Sequence, residues 1–151
     1  MMVIATALIA LLSVRASHTV QDAAPSTQAV HFAYVDVRID PHDKPLAAYQ
    51  IEFLADASRV KLVGVEGGNH PAFVDPPYYD PAALSHNRVI LAAFNTGSAL
   101  PKQSFRAASL HLEVVGNEPP QWSAKLIVAS DSDGTSIPVD VSVSSAEGAS
   151  R

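Results

Sequence analysis

Hydrophobic and polar positions alternate most regularly over residues 46–67, LAAYQIEFLADASRVKLVGVEG. Tyr49, Ile51 and Phe53 fall at every second position with polar residues between them, which is the period of a strand buried on one face. Residues 55–58 break that period with short side chains that hydrogen-bond to their own backbone, and they predict a turn. A β-branched apolar run follows and ends at two glycines, so the whole stretch predicts strand, turn, strand.

The same alternation recurs along the chain, roughly every dozen residues, with turn-forming residues between the apolar runs. Residues 88–94, RVILAAF, are apolar almost throughout, which predicts a central strand covered on both faces. Residues 131–134, DSDG, predict a hairpin turn that joins the last two strands. This spacing predicts an all-β, antiparallel β-sandwich of the jelly-roll type. The further strands are predicted at 29–39, 104–115, 123–130 and 137–143.

Residues 67–87, GGNHPAFVDPPYYDPAALSHN, contain no predicted strand. A connection of this length in a small domain is unusual and is often functional. Within it, Asp80 followed by Pro81 predicts a short helical turn, because aspartate caps a helix start and proline suits its first position.

The N-terminal residues predict a secretory signal peptide over 1–16, with an apolar run at 2–12 and cleavage after Ala16. That run is too short to span a bilayer comfortably, so we expect no stable membrane insertion after cleavage. The alternative is that the run is retained as an anchor. Residues 17–28 predict a flexible leader, 29–144 the β-sandwich and 145–151 a flexible tail. The location predicted is secreted, periplasmic or in the cell envelope.

Composition, charge and motif content exclude several classes of partner and of catalytic site. The 151 residues are 48% hydrophobic and 17% charged, which indicates one globular domain. The net charge of −5 comes without a basic patch, so a nucleic-acid partner is not expected. The absence of cysteine excludes disulfides, thiolate metal sites and cysteine nucleophiles. HExxH, GxSxG and phosphate-loop motifs are also absent, which predicts a chain that is not an enzyme. A site assembled in space from carboxylates or histidines is the alternative left open.

Several runs of the sequence together resemble a cohesin domain, or a close relative among the sandwiches that resemble carbohydrate-binding modules. They are LAAYQIEF at 46–53, the following Ala55-Asp56 turn and VKLVGVEG at 60–67. Residues 88–94, the strand at 106–115 with Gly116 after it, and the turn at 131–134 extend the likeness over about 30–143. The resemblance implies a secreted, non-catalytic module for protein–protein recognition. No dockerin-like repeat accompanies it, and residues 67–87 match no dockerin-contact motif, so no contact residues are carried over.

Three aromatic residues are candidate ligand contacts. Tyr78 and Tyr79 follow two prolines in the long connection, and Trp122 follows another proline pair. Such rings give large contact areas at little entropic cost, either to a protein or to stacked sugars. A carbohydrate-binding module is therefore the alternative function. The competing interpretation is structural, with the tyrosines plugging one end of the sandwich and Trp122 covering its edge.

Asp131 and Asp133 have the spacing of oxygen ligands for calcium. The sequence lacks the further ligands of an EF-hand loop. A hydrogen-bonded turn explains the same residues without an ion, and no other cofactor is expected.

Overall fold

A computed structural model describes residues 28–145. The predicted signal peptide, all but the last residue of the predicted leader, and residues 146–151 lie outside the described residues. Two 3₁₀ turns, Pro71–Phe73 and Pro81–Ala83, interrupt the connection between the third and fourth strands. No helix among residues 28–145 is long and apolar enough to cross a membrane. The strands are β1 (Val30–Asp40), β2 (Ala48–Ala55), β3 (Val60–Glu66), β4 (Arg88–Phe94), β5 (Phe105–Val115), β6 (Trp122–Ser130) and β7 (Asp140–Ser145).

The strands form two antiparallel sheets with one hydrophobic core, as a β-sandwich requires. One sheet has the order β3-β5-β1-β7 and the other the order β4-β2-β6. The predicted all-β, antiparallel architecture is therefore confirmed. The core residues come from both sheets, and the largest fully buried side chains are Phe53, Ile39, Leu46, Ile51, Leu62, Leu91, Leu110, Leu112, Val35, Val37, Val60 and Val89.

The alternating patterns predict correctly which residues enter the core. In β2, Tyr49, Ile51 and Phe53 are at most 2% exposed, as the period of two requires. The Tyr49 hydroxyl donates to the carbonyl oxygen of Ala107 at 3.3 Å, and burial raises the pKa of this hydroxyl above its usual value. The period of two therefore identifies the buried face of β2 without any knowledge of the strands that pair with it.

The turn after β2 carries the chain from one sheet to the other. Asp56 Oδ1 accepts hydrogen bonds from the hydroxyl of Ser58 at 2.8 Å and from its N–H at 3.0 Å. These bonds, the hydroxyl first, hold the pKa of Asp56 below its usual value. The predicted self-bonded turn is confirmed, and the strands it joins lie in different sheets.

The prediction that 88–94 is a central strand is wrong. β4 has the predicted bounds but lies at the edge of the three-stranded sheet. Val89 and Leu91 face the core, whereas Arg88 and Phe94 are exposed. The run is apolar after Arg88 because Ile90, Ala92 and Phe94 put apolar side chains on the outer face.

The prediction of a hairpin between the last two strands is also wrong. A local turn does form, with Asp131 N–H donating to Thr135 O at 3.0 Å and Ile137 N–H donating to Ala129 O at 3.1 Å. The ladder then stops at Pro138, which has no N–H to donate. The chain crosses to the other sheet, where β7 pairs with β1.

The 67–87 connection folds back against the sandwich through Phe73. This ring is 4% exposed, and its centroid lies 5.3 Å from that of Tyr49 and 5.7 Å from that of Phe105. The predicted capped turn is also present, because the Asp80 side chain accepts from Ala82 N–H at 2.9 Å at the start of Pro81–Ala83. The segment is thus an ordered part of the domain.

We expect Gly67→Ala to lower the free energy of unfolding by about 2 kcal/mol, because the backbone opposite must shift and overpacking has costs of this size. A Cβ at Gly67 would lie 1.9 Å from the carbonyl oxygen of Val74. Gly64→Ala is the matched control, since its Cβ would meet His111 atoms at an ordinary 3.6 Å. Denaturant unfolding measures both variants, and equal stability of the two would contradict the close approach.

Candidate functional site

Tyr78 and Phe94 form an exposed pair of aromatic rings at one end of the three-stranded sheet. Tyr78 is 72% and Phe94 66% exposed. Their ring centroids are 6.3 Å apart, and the ring planes differ by 12°. We call these two residues the aromatic pair. Two such rings side by side form a contiguous exposed apolar patch, a feature that often marks an interaction site.

The main chain holds the aromatic pair in place. Tyr78 N–H donates to Ala92 O at 2.7 Å, and Ala92 N–H donates to Tyr78 O at 2.9 Å. Tyr78 thereby adds one residue of strand to the edge of β4 that faces away from β2, which we call the rim of β4. Residues directly opposite each other share a face, so Tyr78 lies on the outer face with Ala92, and Phe94 follows two residues later on that face. The rings are therefore presented by ordered backbone.

Other apolar residues extend this outer face across the sheet. The strand register aligns Ala92 with Gln50 and Gln50 with Val128, next to a bulge that contains Ile127. Both aliphatic residues are 47% exposed, and Leu54 on β2 is 44% exposed. Between these ends, Glu52 accepts from Arg88 Nε at 2.6 Å. The face combines an aromatic end, aliphatic contacts and one ion pair.

Two depressions flank Phe94. One, of about 180 Å³, is lined by Phe73, Asp75, Pro77 and Tyr78 among others. The second, of about 200 Å³, is lined by Ala48, Thr96, Asp131 and Ser132 among others. Asn95 borders both. The ring of Phe94 thus stands between two hollows that contain carboxylate, amide and hydroxyl groups.

The structure separates the sequence-predicted site residues. Tyr78 and Asp131 lie on opposite sides of Phe94, at the same end of the sheet. Tyr79 is half-buried and packs against the core, as expected for the neighbour of an outward-facing residue. Trp122 is also half-buried against the core and pairs with Ala55 at the other end of β2. Trp122 therefore does not join the aromatic pair.

Asp131 acts as the acceptor of a turn. Its Oδ1 accepts from Asp133 N–H at 3.0 Å and from Thr135 N–H at 2.9 Å. Asp133 is exposed. Among residues 28–145 no group of three or more histidine, cysteine, aspartate or glutamate side chains is arranged to hold a metal ion. The turn accounts for Asp131 by itself.

Two histidine–carboxylate pairs form elsewhere on the surface. His111 Nε2 lies 2.9 Å from Glu66 Oε1, and His42 Nε2 lies 3.0 Å from Asp140 Oδ2. The four side chains are 41–80% exposed. Tyr34 stacks on the His111 ring at a centroid distance of 6.0 Å. Both pairs lie on the surface, apart from the aromatic pair.

Phe94 is the member of the aromatic pair that the sequence did not single out as a candidate. The prediction that residues 88–94 are covered on both faces hides the exposure of Phe94, the last residue of the run. The available signal is the charge of Arg88, because Phe94 lies on the same face of the strand at a period of two. The strand-like pairing of Tyr78 with Ala92 has no comparable signal, because proline-rich segments do not show a period of two.

No protein-family model matches the chain, and comparisons with curated proteins and with solved structures give no match.

Proposed function

We propose that this protein is a non-catalytic binding module, a cohesin-like variant of the jelly-roll sandwich, acting outside the cytoplasm. Its binding surface is the outer face of the three-stranded sheet, centred on the aromatic pair, and its ligand is a protein. The exposure of two near-parallel rings on ordered backbone carries this proposal. The sequence resemblance supports the module type, and the predicted signal peptide supports the location.

A protein partner suits the composition of this face. Protein interfaces combine aromatic anchors with a polar rim, and a few anchors supply most of the binding energy. Tyr78 and Phe94 are the anchors, and the hollows beside Phe94 can accept partner side chains. The aliphatic residues Val128 and Leu54 extend the contact across the sheet, with Gln50 and the Glu52–Arg88 pair between them.

We expect the immobilised protein to retain a saturable partner from secreted and envelope fractions of its organism, identified by mass spectrometry. Tyr78→Ala and Phe94→Ala should each weaken retention at least tenfold, because losing an interface anchor costs about 2 kcal/mol or more. Phe32→Ala is the matched control, since Phe32 is equally exposed, at 73%, but lies on the other sheet. Retention that survives the loss of both rings, or that Phe32→Ala abolishes equally, would contradict the proposal.

Carbohydrate binding is the second candidate, and the surroundings of Phe94 favour it. The side chains of Asn95, Thr96 and Asp131 line hollows next to an exposed ring. Aromatic faces stack on the apolar faces of sugars while polar groups bond to hydroxyls, as in other small-molecule sites. Tyr79 and Trp122 contribute less to this candidate because both are half-buried.

If the ligand is a polysaccharide, the protein should be depleted from solution by insoluble cellulose, chitin or cell-wall glycan. Phe94→Ala should then weaken depletion about tenfold, whereas Phe94→Tyr should retain it because the ring face is preserved. Trp122→Phe is the control at the distant end of the sheet. Equal depletion by the wild type and by Phe94→Ala would exclude stacking on this ring.

A further inference from the structure

Along the rim of β4, the backbone of one residue, Ala92, is hydrogen-bonded to another segment of the described chain. Its backbone groups alternate between the two sides of the strand, as in every antiparallel ladder. Beyond its two ends, Asn87 O accepts from Ala55 N–H at 2.8 Å and Asn95 N–H donates to Ala47 O at 2.8 Å, both on the β2 side. Ala92 bonds to Tyr78 on the opposite side.

This alternation fixes the direction of the remaining groups. The N–H and C=O of Ile90 and Arg88 point to the same side as those of Ala92, away from β2. In the part of the chain that the structure describes, no loop backbone group bonds to either residue on that side. The rim therefore presents consecutive hydrogen-bonding positions beyond the one that Tyr78 fills.

A depression lies beside these positions. After Tyr79 the chain leaves the rim and enters the turn at Pro81–Ala83. The space between turn and strand has a volume of about 450 Å³, and its walls include Asp80, Ala83, His86 and Ile90. Exposed strand edges are normally shortened, charged or covered, because they pair with other chains. Here Tyr78 covers Ala92 and Arg88 carries a charge, but the outward backbone groups of Ile90 and Arg88 stay open beside the depression.

We propose that this depression binds a short extended peptide segment, which adds to β4 as a further strand opposite Ile90 and Arg88. The proposal rests on the proposed function as a protein-binding module and specifies the class of partner. The peptide continues the line of backbone pairing that Tyr78 begins. Its main chain supplies the bonds that the rim leaves open, as in other cases of strand addition.

The walls of the depression favour a single extended segment over pairing between the β4 strands of two copies. The turn at Pro81–Ala83 faces the rim of β4, so a partner strand must enter between them. A whole sheet edge from another copy carries the same turn beside its own β4. The peptide residue opposite Ile90 has its side chain on the outer face, where we expect an apolar or β-branched residue to pack on Ile90.

The test is a selection of phage-displayed random linear heptapeptides on the full-length protein. Enriched peptides are synthesised, and their binding is measured on the wild type, Ile90→Pro and Ile90→Val. Proline removes the outward N–H, which an edge strand tolerates, and valine retains it. We expect about tenfold weaker binding to Ile90→Pro and unchanged binding to Ile90→Val. Thermal unfolding confirms that both variants fold.

Backbone amide chemical shifts locate the peptide independently of any variant. Addition of an enriched peptide to the wild type should shift the Ile90 amide signal and slow its hydrogen exchange. The inference is overturned if no peptide is enriched, if enriched peptides bind Ile90→Pro as tightly as wild type, or if the Ile90 amide does not respond. A dimer that Ile90→Pro converts to a monomer would also overturn it, since the occupant would be a second copy.

Failure here is distinguishable from failure of the proposed function. The peptide assay does not depend on partner capture by the aromatic pair. A partner whose retention requires Tyr78 and Phe94, together with no peptide bound at Ile90, leaves the module's function standing and removes only the strand-addition site.

Discussion

The side chain of Phe73, in the long connection, packs into the core beside the rings of Tyr49 and Phe105, where it is 4% exposed. Truncating such a ring to alanine typically lowers the free energy of unfolding by about 3–5 kcal/mol. Because fixing the backbone of one residue costs about 1–2 kcal/mol of conformational entropy, burial of the ring offsets the ordering of only a few residues. The remaining order comes from local bonds, such as that from Asn95 Nδ2 to Ala72 O at 2.9 Å. Gly67 permits the close backbone approach that this docking requires. The exposed surface depends on this contact because it places the following residues, including Tyr78, beside β4.

The edge of the three-stranded sheet is only partly covered by the long connection. Tyr78 pairs with Ala92, and the chain then turns away at Pro81–Ala83. One residue pair fixes the orientation of an exposed ring next to Phe94, while Ile90 keeps its outward backbone groups open. Exposed aromatic residues and open edges both favour association with other chains, which selection normally limits. Their combination at one edge is the physical basis for interpreting this surface as a binding surface.

Sequence patterns predicted burial well where polar and apolar residues alternate, and predicted strand partners poorly. The period of two in β2 identified Tyr49, Ile51 and Phe53 as core residues, and β4 has the predicted bounds. A period of two gives the face of a strand but not its neighbour, so the hairpin expected before β7 and the central place expected for β4 were both wrong. The aromatic pair joins residues far apart in sequence through one bridge, for which local patterns carry no signal. Tyr78 was identified as a candidate, whereas Phe94 required the structure.

The docking of Phe73 is tested most directly by amide hydrogen exchange in Phe73→Ala, with Val74→Ala as control because Val74 is 60% exposed. The quantity measured is the exchange rate of the Tyr78 amide relative to that of Leu110 in the central part of β5, which corrects for global loss of stability. We expect this ratio to rise at least about tenfold in Phe73→Ala and to stay unchanged in Val74→Ala. An unchanged ratio in Phe73→Ala would show that Tyr78 is held at β4 without the buried ring, and would contradict this account.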